Sequence, residues 1–126
     1  MLEGLAHIGL FIRDIEASKK FYTEKLGFTV VSEAEVPDGT KIVMAELNDM
    51  MIEIVQLPEY DGGQDGVVNH IAIRVKDIEA AMKDLKEKGI QFETDKPVLL
   101  GNVLGGVRYA MFRGPDGERL EIDELL

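Results

Sequence analysis

Four side chains in this 126-residue chain have the types and placement to bind a divalent cation: His7, Glu53, His70 and Glu121. The two histidines are the chain's only ones, and each opens an apolar run. Glu53 lies between Ile52 and Ile54, and Glu121 between Leu120 and Ile122. A carboxylate inside an apolar strand is costly unless it is paired, protonated or bound to metal. Two imidazole nitrogens and two carboxylates form a hard-to-borderline donor set. It suits Zn²⁺, Ni²⁺, Co²⁺, Mn²⁺ or Fe²⁺, with room for water or substrate. Plainer explanations stand beside this one. A solitary strand histidine is more often structural than ligating, duplication alone would match His7 to His70, and either glutamate would be stable at a strand edge facing water.

The elements that position these residues come in two copies. His7-Ile-Gly-Leu-Phe-Ile-Arg-Asp-Ile-Glu-Ala17 is answered, 63 residues on, by His70-Ile-Ala-Ile-Arg-Val-Lys-Asp-Ile-Glu-Ala80. Between residues 7–26 and 70–89, nine of twenty positions are identical. The later parts, Met51-Ile-Glu-Ile-Val-Gln-Leu57 and Arg119-Leu-Glu-Ile-Asp-Glu-Leu125, align at an offset of 68. Two long units are too few for a solenoid, so the pattern describes one module duplicated and packed against its copy. The chain is expected to be a single domain over 1–126, with internal modules 1–60 and 67–126.

Each module has the same predicted order. In the first, a strand over 5–12 precedes a helix capped by Asp14 and ended by Gly27. Ile15, Ser18, Tyr22 and Leu26, with Phe21 beside them, give its apolar stripe. Strands over 28–36, 41–47 and 51–57 follow, with turns at Pro37-Asp38-Gly39 and Asn48-Asp49. In the second, Asp77 caps a helix that Gly89 ends, with Ile78, Ala81, Met82 and Leu85 facing the core and Lys83 to Lys88 on a solvated face. Strands are expected at 90–94, 107–113 and 119–123. Residues 58–66 join the modules, and 95–106 form a long glycine-containing loop able to cover a site.

Strand alternation sorts the faces. Ala6, Ile8, Leu10 and Ile12 pack under the first helix, which turns His7, Gly9 and Phe11 the other way. Ile71, Ile73 and Val75 pack under the second, leaving His70, Ala72 and Arg74 opposite. A small residue, Gly9 or Ala72, follows each histidine on that face and leaves room for a bound atom. Arg74 is a candidate contact for a substrate carboxylate, and Arg108 and Arg113 are further cations available to an anionic ligand.

Composition narrows the partners. With 45% apolar residues the chain can bury a core. Absence of cysteine excludes disulfides, thiolate metal sites and a cysteine nucleophile. A net charge of −10, from 24 acidic against 14 basic residues, repels nucleic-acid backbones and anionic membranes. No apolar run approaches a membrane span, and the first residues lack a signal-peptide pattern. A cytoplasmic protein acting on a small molecule is expected.

These residues also carry a family resemblance. The motifs are His7-Ile-Gly-Leu10, Asp14-Ile-Glu-Ala-Ser18, Phe21-Tyr-Thr-Glu-Lys-Leu-Gly-Phe28, Asn69-His-Ile-Ala-Ile-Arg-Val75 and Gly114-Pro-Asp-Gly-Glu-Arg-Leu-Glu-Ile122. Across essentially its whole length the chain resembles the vicinal oxygen chelate superfamily, which includes glyoxalase I, methylmalonyl-CoA epimerase, extradiol dioxygenases and antibiotic-resistance proteins. The resemblance implies an α+β fold of two tandem βαβββ modules forming a U-shaped, partly open barrel, with homodimerisation. It implies the metal ligands His7, Glu53, His70 and Glu121, the four residues already singled out. It further implies a metal-dependent lyase or isomerase of glyoxalase I (lactoylglutathione lyase) type, acting on a small carbonyl or thioester compound. There the cation polarises a carbonyl as a Lewis acid, an enediolate forms, and a glutamate shuttles the proton. Glu121 is the favoured base and Glu53 the other candidate.

Subfamily is less sharply written. Glyoxalase I places an arginine four residues after the first histidine and an asparagine four after the first glutamate. This chain has Phe11 and Leu57 there, which leaves Phe11 as a substrate contact and the usual glutathione contacts unaccounted for. Epimerases typically carry glutamine where Glu53 stands. Dioxygenases use two histidines and one carboxylate. Resistance proteins of this fold bind a drug without chemistry and generally lack the full ligand set.

Overall fold

The computed structural model describes residue 3 and residues 5–62, 65–66, 68–101 and 103–126. Residues 1, 2 and 4 of the N-terminus, 63 and 64 of the connector, 67 at the start of the second module, and 102 of the long loop lie outside the described residues. The chain divides into two compact units, Met1–Gly63 and Gln64–Leu126, so the boundary falls inside the expected connector.

The first unit is β1 (Ile8–Phe11), α1 (Ile15–Lys20), β2 (Thr29–Glu35), β3 (Lys41–Leu47) and β4 (Met50–Gln56). Its sheet runs β1-β4-β3-β2, with β1 parallel to β4 and the other pairings antiparallel. The second unit repeats this with β5 (Ile71–Arg74), α2 (Ile78–Glu87), β6 (Val98–Leu100), β7 (Val107–Arg113) and β8 (Arg119–Leu125). Its sheet runs β5-β8-β7-β6, with β5 parallel to β8. Both units are βαβββ modules, and the fold is α+β and glyoxalase-like.

Local chemistry explains the helices. The Asp14 carboxylate accepts from the N–H groups of Glu16 and Ala17, and Asp77 accepts from Ala80. Gly27 and Gly89 take φ of 83° and 89°, the left-handed conformation that ends a helix and favours glycine. A second device appears in both modules: a side chain from the last strand completes the cap. Gln56 Oε1 accepts from Ile15 N at 2.7 Å, and Glu124 Oε2 accepts from Ile78 N at 2.8 Å. Each bond ties a helix start to the strand beneath it and satisfies a donor that the helix cannot.

Three boundaries differ from expectation. The first helix does not continue as α to Gly27; residues Phe21–Lys25 are π-helical. The Thr23 hydroxyl donates back to Lys19 O at 2.8 Å, a bond that loosens helical winding. Tyr22 is there wedged edge-on between Phe21 and Phe28. The first strand is shorter than 5–12, because Leu5 and Ala6 are exposed and only residues from Ile8 onward pair with β4. In the second module the strand expected at 90–94 is reduced to a bridge between Phe92 and Phe112. The pairing strand is β6, inside what was expected to be loop. Val98 and Leu100 pair across from Tyr109 and Val107 there.

Candidate functional site

The two glutamates are placed by the same rule in each module. Glu53 has Gly9 opposite it on β1 and Met44 opposite it on β3. Glu121 has Ala72 opposite it on β5 and Met111 opposite it on β7. Their strand neighbours Ile52, Ile54, Leu120 and Ile122 are buried, and α1 packs on β3 and β4 as α2 does on β7 and β8. Period-two alternation therefore turns both carboxylates away from the helix. Side chains are 30% exposed for Glu53 and 15% for Glu121.

Each histidine stands one residue ahead of its strand and beside its module's glutamate. His7 Nε2 lies 3.8 Å from Glu53 Oε1, and His70 Nε2 lies 3.2 Å from Glu121 Oε2. A Cβ at Gly9 would lie 3.6 Å from Glu53 Oε1, so the missing side chain keeps that carboxylate face open.

In the second module the histidine's tautomer follows from its neighbours. Arg119 Nη1 donates to Asn69 Oδ1 at 2.9 Å, which identifies that atom as the amide oxygen. His70 Nδ1 lies 3.0 Å from the same oxygen and must donate to it. In the neutral ring Nε2 then holds a lone pair, facing the Glu121 carboxylate. Two acceptors 3.2 Å apart require a cation or a proton between them. Burial pushes the Glu121 carboxyl up from its usual range, and the Asp123 charge adds to this, against the opposing fields of His70 and Arg119. This donor chemistry fits a divalent metal. Histidine ligands commonly donate their second nitrogen to an oxygen acceptor, as His70 does to Asn69.

The other expected contacts have partners within the protein. Arg74 is ion-paired with Asp123, its register partner on β8, so its charge is already matched within the protein. Arg108 pairs with Glu124 and Glu79, and Arg113 with Asp65 and Glu93. Phe11 is 56% exposed, with its ring edge toward Tyr60. Among the described residues no group of three or more His, Asp or Glu side chains that could hold a metal is gathered. Each module holds one His–Glu pair of its own.

The structure adds residues that sequence inspection did not single out. A cavity of about 420 Å³ in the second module is lined at one end by His70, Glu121 and Arg119, with Tyr109 and Met111 on β7. Arg119 is two residues from Glu121, on the same strand face, and alternation offers that signal in the sequence. Its link to Asn69 spans fifty residues and leaves no such trace. The Arg119 Nε–H is itself buried without an acceptor.

Comparison with known proteins agrees with this architecture. The chain is 31% identical to the protein YwkD of Bacillus subtilis, over 98% of each chain. It is 28% identical to mouse mitochondrial methylmalonyl-CoA epimerase, over 75% of this chain and 58% of that protein. The crystal structure of a glyoxalase family protein from Enterococcus faecalis superposes with a TM-score of 0.79 at 27% identity, covering 97% of this chain and 98% of that one. The sequence model of one family matches residues 4–122. With nearly the whole chain matched, and paired βαβββ modules beneath it, the protein belongs to the Glyoxalase/Bleomycin resistance protein/Dioxygenase superfamily.

Proposed function

We propose that this protein is a metal-dependent lyase or isomerase of glyoxalase type, which moves a proton at the carbon next to a carbonyl in a small α-oxygenated compound. One observation carries the proposal: the lone-pair face of His70 Nε2 set against the Glu121 carboxylate at 3.2 Å, with Nδ1 committed to Asn69. His7 and Glu53 repeat the pairing in the first module at 3.8 Å. The two pairs would supply two imidazoles and two carboxylates to one divalent ion of the Zn, Ni, Co, Mn or Fe group. A cation so held supplies Lewis-acid polarisation of a carbonyl oxygen. Glu121 takes the adjacent C–H proton and returns it. Its burial raises its carboxyl above the usual range, and a positioned carboxylate can act in turn as base and acid. Glu53, in the more exposed pair, serves chiefly as a ligand. The working form is a homodimer.

Sequence similarity to a methylmalonyl-CoA epimerase favours a second reading, epimerisation beside a thioester carbonyl. Both reactions begin with the same proton abstraction. A ligand-binding role without chemistry is the remaining alternative. The discriminating experiment loads the protein with each of the five metals and incubates it in D₂O. Substrates are hemithioacetals, α-hydroxyketones and 2-methyl-branched acyl-CoA esters. Metal-dependent deuterium uptake at the carbon beside the carbonyl is the expected result. Stoichiometric metal without exchange across the panel would point to a binder. Failure to bind any of the metals would overturn the proposal.

A further inference from the structure

His70 stands one residue ahead of β5, outside its pairing with β8, and the stretch leading to it is anchored through Asp65 and Asn69. Asp65 accepts from both terminal nitrogens of Arg113, at 2.6 and 3.1 Å. Asn69 accepts from Arg119 Nη1 at 2.9 Å. The two arginines face each other across β7 and β8, where like charges repel. Glu93 bridges them, with Oε2 3.3 Å from Arg119 Nη2 and Oε1 3.7 Å from Arg113 Nε. Its backbone is tied to β7, Glu93 N donating to Met111 O at 2.8 Å. Acid and base thus alternate from Asp65 through Arg113 and Glu93 to Arg119, which ends on the oxygen that orients His70.

Stability alone does not account for Arg119. Its Nε–H is buried with no acceptor among the described residues, which opposes folding. The first module shows that the sheet forms without this arrangement. Met51 stands there in place of Arg119 and Ala6 in place of Asn69, and the residue opposite Met51 is Glu46. Strand order is the same, yet His7 lies 3.8 Å from its glutamate where His70 lies 3.2 Å, and Glu53 is 30% exposed where Glu121 is 15%.

A second arrangement competes at His70. With Arg119 absent, the Asn69 amide is free to turn its NH₂ toward Nδ1, which moves the ring proton to Nε2, where it bonds the Glu121 carboxylate. That state satisfies both neighbours in metal-free protein and occupies the nitrogen that a metal needs. A donor fixed on the Asn69 oxygen excludes it.

We propose that Arg113 and Arg119 clamp the approach to β5, position His70 and keep its Nε2 lone pair open, which makes His70–Glu121 the preorganised pair and leaves His7–Glu53 the adaptable one. Arg119 acts through Asn69 and is a positioning residue. The clamp rests on the metal-site reading above only for the use made of that lone pair.

The test compares the wild-type chain with Arg119→Met, which copies Met51, and with Arg119→Lys. Ring ¹⁵N shifts in metal-free protein report the tautomer of both histidines. Neutral His70 is expected to carry its proton on Nδ1 in wild type, on Nε2 in Arg119→Met, and on Nδ1 again in Arg119→Lys. His7 resonances, reporting on the rest of the fold, should not move. Dye competition with Zn²⁺ should show about tenfold weaker binding by Arg119→Met and recovery of most of it by Arg119→Lys. The Tm of Arg119→Met should equal or exceed that of wild type, since an unpartnered buried donor is removed. Asp65→Asn should weaken Zn²⁺ binding about threefold at low salt and leave it unchanged at high salt. An unmoved His70 tautomer in Arg119→Met would overturn the clamp. So would failure of Arg119→Lys to rescue, or a fall in Tm with displaced His7 resonances, which marks a structural residue. Full affinity in Asp65→Asn at low salt would overturn the Arg113 arm. If wild type binds no metal while the His70 tautomer still follows residue 119, the metal-site proposal falls and the clamp stands.

Discussion

His70 Nδ1 lies 3.0 Å from the side-chain oxygen of Asn69, the residue before it, and Arg119 fixes that oxygen from fifty residues away. In a neutral ring this contact places the proton on Nδ1. Nε2 is left as an acceptor directed at Glu121. Tautomer and ring orientation are thus decided by a neighbour and not by the histidine itself.

Removing that oxygen should be felt at the metal. Asn69→Ala is expected to lower metal affinity by roughly 10–100-fold, the usual cost of losing an outer partner of a ligating histidine. Asn69→Asp, which keeps an acceptor for both His70 and Arg119, should retain most of it. Competition with a metal-sensitive dye gives the affinity, and ring ¹⁵N shifts of His70 give the tautomer. Equal affinity in Asn69→Ala and wild type would remove Asn69 from the site.

Gly9 faces Glu53 as Ala72 faces Glu121. A Cβ at Gly9 would make ordinary contact with the carboxylate at 3.6 Å, so Gly9→Ala should bind metal nearly as wild type. Gly9→Leu fills the space over Glu53 and should bind about tenfold or more weakly, with the fold intact by circular dichroism. Tight binding by Gly9→Leu would show that the open carboxylate face is not needed.

His70→Ala and His7→Ala should each reduce bound metal well below one per site, measured by elemental analysis after dialysis. Glu121→Gln should reduce deuterium exchange about 100-fold or more if Glu121 carries the proton, the scale of a general base. Glu53→Gln should weaken metal binding but leave exchange measurable at saturating metal. An equal loss of exchange in both variants at full occupancy would leave Glu121 without its separate role.

Gln56 and Glu124 cap α1 and α2 from the last strand of each module, but only Glu124 is charged. Hydrogen bonds from Arg108, and then from the Ile78 backbone, hold its carboxyl below the usual range. A depressed carboxylate adds stability above its unfolded value and loses that contribution as pH falls through the folded one. Acidification into the range below the ordinary glutamate value should therefore lower the Tm of wild type more steeply than that of Glu124→Gln. The substitution copies the first module's cap and keeps the bond to Ile78. Gln56→Ala, which leaves Ile15 N unpaired, should cost about 1 kcal/mol at any pH. Parallel Tm curves for wild type and Glu124→Gln in acid would refute the linkage.

What the sequence determined alone is whatever local rules control. The capping aspartates, the glycines at the helix ends and the alternation along β1, β4, β5 and β8 are properties of a few neighbouring residues. The 63-residue repeat then doubled each signal. Those rules single out His7, Glu53, His70 and Glu121 as candidates and turn the two glutamates away from the helices. Tertiary structure decided what depends on partners distant in the chain. Arg74, Arg108 and Arg113 look available as a list, yet carboxylates on other elements occupy them in the fold. Residues 90–94 have a strand's composition, but β7 accepts Val98–Leu100 as its neighbour instead. The tautomer of His70 depends on Arg119, whose place beside Asn69 exists only once β8 has paired with β5. Periodicity along a chain fixes which way a side chain points, because that is backbone geometry. What the side chain then meets is set by packing.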